Sequence, residues 1–476
     1  MTAYKDMTVG QLNSELDSLR AAFEEFKSRG LKLNMARGKP STEQLDLASD
    51  LMTALVEGQP LLDANGEDTR NYGVIRGIPE ARELMAAIME VPPANVIVGG
   101  NSSLSMMYDS IARSMSFGVR GSEPWCRQDG LKFLCPAPGY DRHFAITEAF
   151  GIENIPIAMN SDGPDMDTVK RLVESDASVK GIWCVPKYSN PQGITYSDAV
   201  VECFAALKPA ATDFRIYWDN AYALHDLYPS EGDSLASIKE ACDKSGNPDI
   251  WNMFASTSKV SLAGGGIAAL ASSEDNLDEV EKLISYQTIC PDKVNQLRHV
   301  RWAEALGVGG ASGGASGGAS GVEVGCGSGT SGEFSGTGAG VSGTGAGHDG
   351  KNLALAGIQA HMAKLAAILA PKFTIVCDTL ERELGDKCIA TWSSPKGGYF
   401  ISLEGLPGTA KRSVALAKEA GVVLTGAGAT WPYGKDPADT NIRIAPSYPG
   451  VDELKLASEL LCLCISIAAA ESLLDQ

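Results

Sequence analysis

IWNMFASTSKVSLAGGG, residues 250–266, passes from an apolar run into three hydroxyl side chains, a lysine and then three glycines. The apolar part is short and aromatic, as expected of a strand buried on both faces. Four runs upstream have the same character: NVIVGG (95–100), KFLCPAP (132–138), GIWCVP (181–186) and FRIYWDNAY (214–222). Helical stretches separate them between residues 79 and 300. Short apolar strands alternating with helices predict an α/β fold with a mainly parallel sheet covered on both faces. Ligands of such sheets sit beyond the strand ends, where these runs break into Gly, Pro, Ser and Asn.

The flanks differ. Residues 8–29 predict one amphipathic helix, with Leu12, Leu16, Leu19, Phe23 and Phe26 at three- and four-residue steps, ended by the Gly/Pro turn in LKLNMARGKPS (31–41). In 303–350, nineteen of 48 positions are Gly, with GGAS three times in tandem (309–320) and SGTGAG twice (335–340, 342–347). That composition cannot bury enough apolar area to offset ordering its backbone, so it predicts a flexible insertion. Beyond it come a long helical pattern (351–384), a strand GGYFISL (397–403), a helix (410–421), a strand NIRIAPS (441–447) and a closing apolar-faced helix. The expected division is an N-terminal arm with part of the small domain (1–58), a large domain (59–302), the insertion (303–350) and a small α+β domain (351–476).

The 476 residues are 44% hydrophobic and 21% charged, enough for two cores. A formal charge of −19 argues against a nucleic-acid surface or an acidic membrane face. The eleven cysteines show no C-x-x-C and no zinc-ligand spacing, so no metal is expected and a reducing compartment is. The polar N-terminus has no signal-peptide core, and no uninterrupted apolar run reaches about 18–20 residues. These features predict a cytoplasmic protein without a spanning helix. His143, His225, His299, His348 and His361 have no metal spacing and are read as structural or surface residues.

Lys259 follows the apolar run of the opening stretch, in surroundings too apolar for a solvated ammonium, and a desolvated amine loses its proton more readily and becomes nucleophilic. Upstream, Asn190 stands in YSNPQG (188–193), where a plain turn is the competing reading, and Asp219 closes a strand, where a helix N-cap competes.

The order Asn-Pro-x-Gly (190–193), D-x-A-Y (219–222) and S-x-S-K (256–259) resembles the class I/II, fold-type-I pyridoxal-phosphate aminotransferases. The aspartate aminotransferases of the type Ic, MocR-like subgroup are the nearest in pattern, and the likeness covers the chain apart from 303–350. The resemblance implies a large domain with a mainly parallel seven-stranded sheet and a smaller α+β domain. It implies pyridoxal 5′-phosphate on Lys259 as a Schiff base, Asp219 at the ring nitrogen, and Asn190 and Tyr222 at the ring hydroxyl. Asn101, Ser102, Ser103 and Ser256 would bind the phosphate. Tyr72, in NYGVIRGIPEAR (71–82), would reach the phosphate of a neighbouring subunit, so a homodimer with shared sites is implied. For the residue stacked on the ring, Tyr140 is the candidate, although PAPGYDRHF (136–144) also aligns with Ala137 there. One departure stands out: many relatives carry a phosphate-binding Arg where this chain has Ile267.

For substrate, the resemblance places Arg443 on the α-carboxylate, which a guanidinium grips through two parallel hydrogen bonds, with the Gly38 backbone and Asn190 nearby. Arg37, Lys39 and Arg76 are candidates for a distal carboxylate. The implied reaction moves an amino group from an amino acid, most simply aspartate, to a 2-oxo acid, 2-oxoglutarate. Another aminotransferase specificity or a Cα/Cβ lyase uses the same machinery. A non-catalytic regulatory domain is disfavoured, since only one helix precedes MARGKPS and the charge is wrong for DNA.

Overall fold

The computed structural model of the protein describes residues 3–312 and 349–475. The first helix, Val9–Ser28, is started by a reciprocal capping box between Thr8 and Gln11 and buries Leu12, Leu16 and Phe23. Leu33–Asn34 (β1) follows it. The large sheet is built from Val96–Val98 (β2), Lys132–Ala137 (β3), Glu153–Asn160 (β4), Gly163–Pro164 (β5), Val179–Cys184 (β6), Arg215–Asp219 (β7), Trp251–Ser256 (β8) and Ala268–Ser272 (β9), in the order β2-β9-β8-β7-β6-β3-β4-β5. Strands β4, β3, β6, β7 and β8 are parallel, while β9 runs against β8, β2 against β9, and β5 against β4. The mainly parallel sheet is as expected, with the two-residue β5 as an eighth strand at its edge.

Successive strand residues feed opposite layers. Leu134, Ile182, Ile216, Trp218 and Met253 enter one core, and Phe133, Trp183, Tyr217 and Phe254 the other. Burial on both sides is why these strands read as continuous apolar runs rather than alternating ones.

The small domain holds Ala390–Trp392 (β10), Ile401–Gly405 (β11), Val422–Val423 (β12) and Asn441–Ile444 (β13). β10, β11 and β13 form an antiparallel sheet, and β12 pairs in parallel with β1. Tyr4, Leu12, Leu16, Phe23, Leu33 and Met35 share a core with the C-terminal helix Val451–Leu474, whereas Ala48 and Leu51 pack under the large sheet.

Two expectations need correction. The helix Lys293–Ser312 runs well into the Gly-rich stretch, and the next helix, Asp349–Leu384, begins before its predicted end. Residues 313–348, the remainder of the predicted insertion, lie outside the described residues. Glycine is used at this helix crossing for close approach: a Cβ at Gly307 would strike the Leu353 carbonyl, and one at Gly357 the Ala303 carbonyl and the Gly307 nitrogen. Gly357→Ala is therefore expected to lower stability by about 1–3 kcal/mol in urea unfolding, despite alanine's advantage as a helix former. An unchanged midpoint would show that the two helices are free to separate there.

The second correction concerns apolar length. Leu353–Lys387 and Val451–Leu474 are each long and apolar enough on average to cross a membrane. The most apolar stretches of the two are 44% and 67% buried inside the fold.

Candidate active site

A cleft of about 670 Å³ opens where β7 and β8 end, bounded on its far side by the small domain. Gly38, Ser102, Ser103, Tyr140, Asn190 and Asp219 line it, together with Tyr222, Ser256, Lys259 and Arg443. Residues more than 400 positions apart thus meet at one set of strand ends.

Lys259 lies three residues beyond β8. Its Nζ stands 4.9 Å from the Tyr222 ring centre and 5.9 Å from that of Tyr399. Burial pushes the amine below the ordinary lysine range, and the Asp219 charge opposes that shift. Tyr222 is pushed well above the usual phenol range, first by burial and then by the neighbouring Tyr140 and Asp219 charges. His225, buried against Tyr222 and Tyr399, is driven down to about 3 by burial and then by the Lys259 charge, so it is neutral at pH 7.

Asp219 sits at the end of β7. One carboxylate oxygen, Oδ2, is 3.0 Å from His143 Nε2, and the other, Oδ1, is buried with no hydrogen-bond partner. His143 is itself buried and stacks on Trp183 at 4.7 Å and 15°. The structure thus buries His143 against Asp219, a placement that the structural-or-surface reading of the histidines did not single out. The link from His143 to Asp219 spans 76 positions, so the local sequence carried no signal for it. His299 and His361 brace the turn after the lysine instead, His299 Nε2 lying 3.0 Å from Ser261 Oγ and His361 Nε2 donating to the Val260 carbonyl at 2.8 Å.

Opposite the lysine, the helix Ser103–Phe117 points its N-terminus at the cleft. Ser102, at the N-cap, makes no side-chain capping bond. Unpaired N–H groups at such an end favour an anion. Ser256 Oγ donates to Ser258 Oγ at 3.1 Å, beside this N-terminus. Asn101 does not line the cleft: its side chain reaches the Gly264 carbonyl at 3.5 Å, and its own carbonyl accepts from Ser258 Oγ. Ile267 is buried in the core. Tyr72 is also outside the cleft of its own chain, 75% exposed. Tyr140 lines the cleft, edge-on to His143, whereas Ala137 is buried in β3.

Arg443 comes from β13, opposite Ser402 of β11. Its Nη1 donates to Asp141 Oδ1 at 2.9 Å and to Asn190 Oδ1 at 3.3 Å, and its Nη2 to Thr425 Oγ1 at 3.3 Å. The guanidinium lies 5.0 Å over the Phe400 ring, and its Nε is buried without a partner. Gly38 is tight against that ring: an added Cβ would lie 2.5 Å from Phe400. Arg37 and Lys39 line the cleft on either side of Gly38. Arg76 does not, being held by Asp278 at 2.5 Å and Glu281 at 2.8 Å. Asp141, Arg142, Thr425 and Phe400 also line the cleft, and the motifs gave no reason to single them out.

Comparison with known proteins identifies the family. The aspartate amino-transferase family model matches residues 7–312 and 351–476. An aspartate aminotransferase of Corynebacterium glutamicum is 41% identical over 456 residues, covering 96% of this chain and 94% of that one. The crystal structure of an aspartate transaminase from the same species superposes with a TM-score of 0.86 at 39% identity, over 99% of both chains. The α-aminoadipate aminotransferase LysN of Thermus thermophilus, solved with N-(5′-phosphopyridoxyl)-L-leucine, shares the fold at a TM-score of 0.66 and 15% identity, over 94% of this chain and 95% of that one. The chain belongs to the aspartate aminotransferase family of fold-type-I, pyridoxal-phosphate-dependent enzymes.

Proposed function

We propose that the cleft binds pyridoxal 5′-phosphate through the residues named above and that the chain moves an amino group between aspartate and 2-oxoglutarate. The observation that carries the reading is an amine and a carboxylate lining one cleft: Lys259 Nζ, set against the Tyr222 and Tyr399 rings, and Asp219, whose buried Oδ1 has no hydrogen-bond partner among the described residues. An uncapped helix N-terminus with serines completes a set suited to an aromatic ring bearing a basic nitrogen, a carbonyl carbon and a phosphate.

When bound, the cofactor supplies an electron sink for bond breaking at the substrate Cα. Lys259 would hold it covalently, and its amine is placed to move a proton to or from the substrate Cα. Asp219, fixed by His143, would keep a proton on the ring nitrogen, and Asn190 and Tyr222 would donate to the ring hydroxyl. Ser102, Ser103 and Ser256 hold the phosphate with the helix N-terminus, and Tyr140 covers the ring. Asn101 reaches the phosphate only if its side chain leaves Gly264. Tyr72 serves the partner's site in a homodimer. Arg443 grips the substrate α-carboxylate beside Gly38, and Arg37 or Lys39 reads the distal one. The ion pairs of Arg76 take it out of that choice.

The test is a panel of amino acids mixed with the cofactor-loaded protein while its visible spectrum is followed. Arg443→Lys is expected to weaken every amino acid alike, by roughly 2–5 kcal/mol, because the carboxylate is left poorly paired. Replacing Arg37 and Lys39 together by Gln is expected to cut activity on aspartate and spare alanine. Aspartate turnover that survives the double change would remove the case for an acidic substrate.

A further inference from the structure

We propose that Asp141 is a built-in rival of the substrate: its carboxylate holds the α-carboxylate site at Arg443 until the substrate displaces it. The proposal rests on the reading of Arg443 given above. Asp141 opens the helix Asp141–Ala149, directly after Tyr140. Its Oδ1 lies 2.9 Å from Arg443 Nη1, the one ion pair of Arg443 among the described residues. The two ends of that pair differ. The Arg443 side chain is 6% exposed and the Asp141 side chain 32%, so the arginine is fixed inside and the carboxylate reaches in from the rim.

The remaining partners of Arg443 are neutral: Asn190 and Thr425 accept from it, and Phe400 lies under it. Its buried Nε has no hydrogen-bond partner among the described residues. A guanidinium in that state is under-satisfied, and Asp141 reaches only one of its nitrogens. An incoming carboxylate that takes two nitrogens at once makes the stronger, bidentate contact and displaces the single bond. Arg37 and Arg142 line the same cleft, and neither is ion-paired among the described residues, so a displaced Asp141 stays among positive charges. The arrangement trades affinity for integrity. A buried arginine without an anion is strongly destabilising, and Asp141 supplies the anion when no substrate is bound.

The experiment compares wild type, Asp141→Asn, Arg443→Ala and the double variant, all loaded with cofactor. The readouts are the dissociation constant of maleate from the visible spectrum, KM for aspartate, and thermal midpoints with and without maleate. Asp141→Asn is expected to bind maleate about tenfold more tightly, the scale of one charge-assisted hydrogen bond no longer displaced, and to lower KM. Its midpoint without ligand is expected to fall and its gain on adding maleate to exceed that of wild type. In the Arg443→Ala background the tenfold gain is expected to vanish. Weaker or unchanged maleate binding by Asp141→Asn would overturn the proposal and make Asp141 a residue that orients Arg443. A gain that persists without Arg443 would overturn it as well. If Arg443→Ala alone binds maleate as wild type does, the α-carboxylate reading of Arg443 falls, and this proposal with it.

Discussion

Lys259→Ala is expected to reduce transamination by at least about 10⁴-fold, because two functions leave with one amine: covalent attachment and proton transfer, the latter alone worth about 10²–10⁴. The fold gives a reason to choose this lysine over its buried neighbours. Lys180 Nζ is paired with Asp213 at 2.8 Å and Lys187 with Asp226 at 3.0 Å, so both amines are already occupied. Lys259 has aromatic faces for neighbours, and burial moves it toward the neutral, nucleophilic form. Borohydride reduction followed by peptide mapping checks the choice, and label on Lys180 or Lys187 would overturn it. A stability consequence follows. Between the lowered folded pKa of Lys259 and its unfolded value, the unfolded chain binds more protons, so the lysine's contribution to stability rises with pH across that window. Below it, a buried ammonium works against folding. The cofactor-free Ala variant is therefore expected to be more stable than cofactor-free wild type at neutral pH, and to lose that part of the pH dependence.

The sheet was legible because its central strands are buried on both faces: GIWCVP and FRIYWDNAY can hardly be read as anything but strands. Ala268–Ser272 was not, since AALAS carries no β-branched or aromatic side chain and is a strand by its pairing with β8 and β2. The same limit explains the helix end at Ser312. Glycine content measures backbone freedom in an isolated segment, and Gly307 is helical because the neighbouring helix comes close enough to need it. Of the residues carried by contiguous motifs, Lys259, Asp219, Asn190 and Arg443 line the cleft. Those whose importance lies in a partner distant in sequence were missed. His143 is 76 positions from Asp219 and Asp141 is 302 from Arg443. Their own neighbourhood in PAPGYDRHF says only that a helix begins. Tyr72 and Asn101 mark a different boundary: the motif placed them, but within a single chain neither lines the cleft.

Asp219→Asn is the second large effect, expected to lower kcat by about 10²–10⁴-fold with a smaller change in KM. Breaking a buried ion pair by removing one partner costs about 3–5 kcal/mol, and each 1.36 kcal/mol on the barrier is tenfold in rate. Asparagine matches the carboxylate in shape, so packing against His143 survives and the loss reports charge. The carboxylate has two oxygens with two duties. Oδ2 is held by His143, and Oδ1 is free to face a protonated ring nitrogen. An amide cannot serve both, because its one oxygen can accept from His143 or from the ring, and its NH₂ meets a donor at the other position. His143→Gln makes the distinguishing control. It leaves the Asp219 charge in place and removes only its tether, so a loss of about tenfold is expected, on the scale of one charge-assisted hydrogen bond. The order of the two losses is the test. If His143→Gln were as damaging as Asp219→Asn, the histidine would have to act on the cofactor or substrate itself. If Asp219→Asn cost less than tenfold, Asp219 would be structural, and protonation of the ring nitrogen would have to come from another group in the cleft.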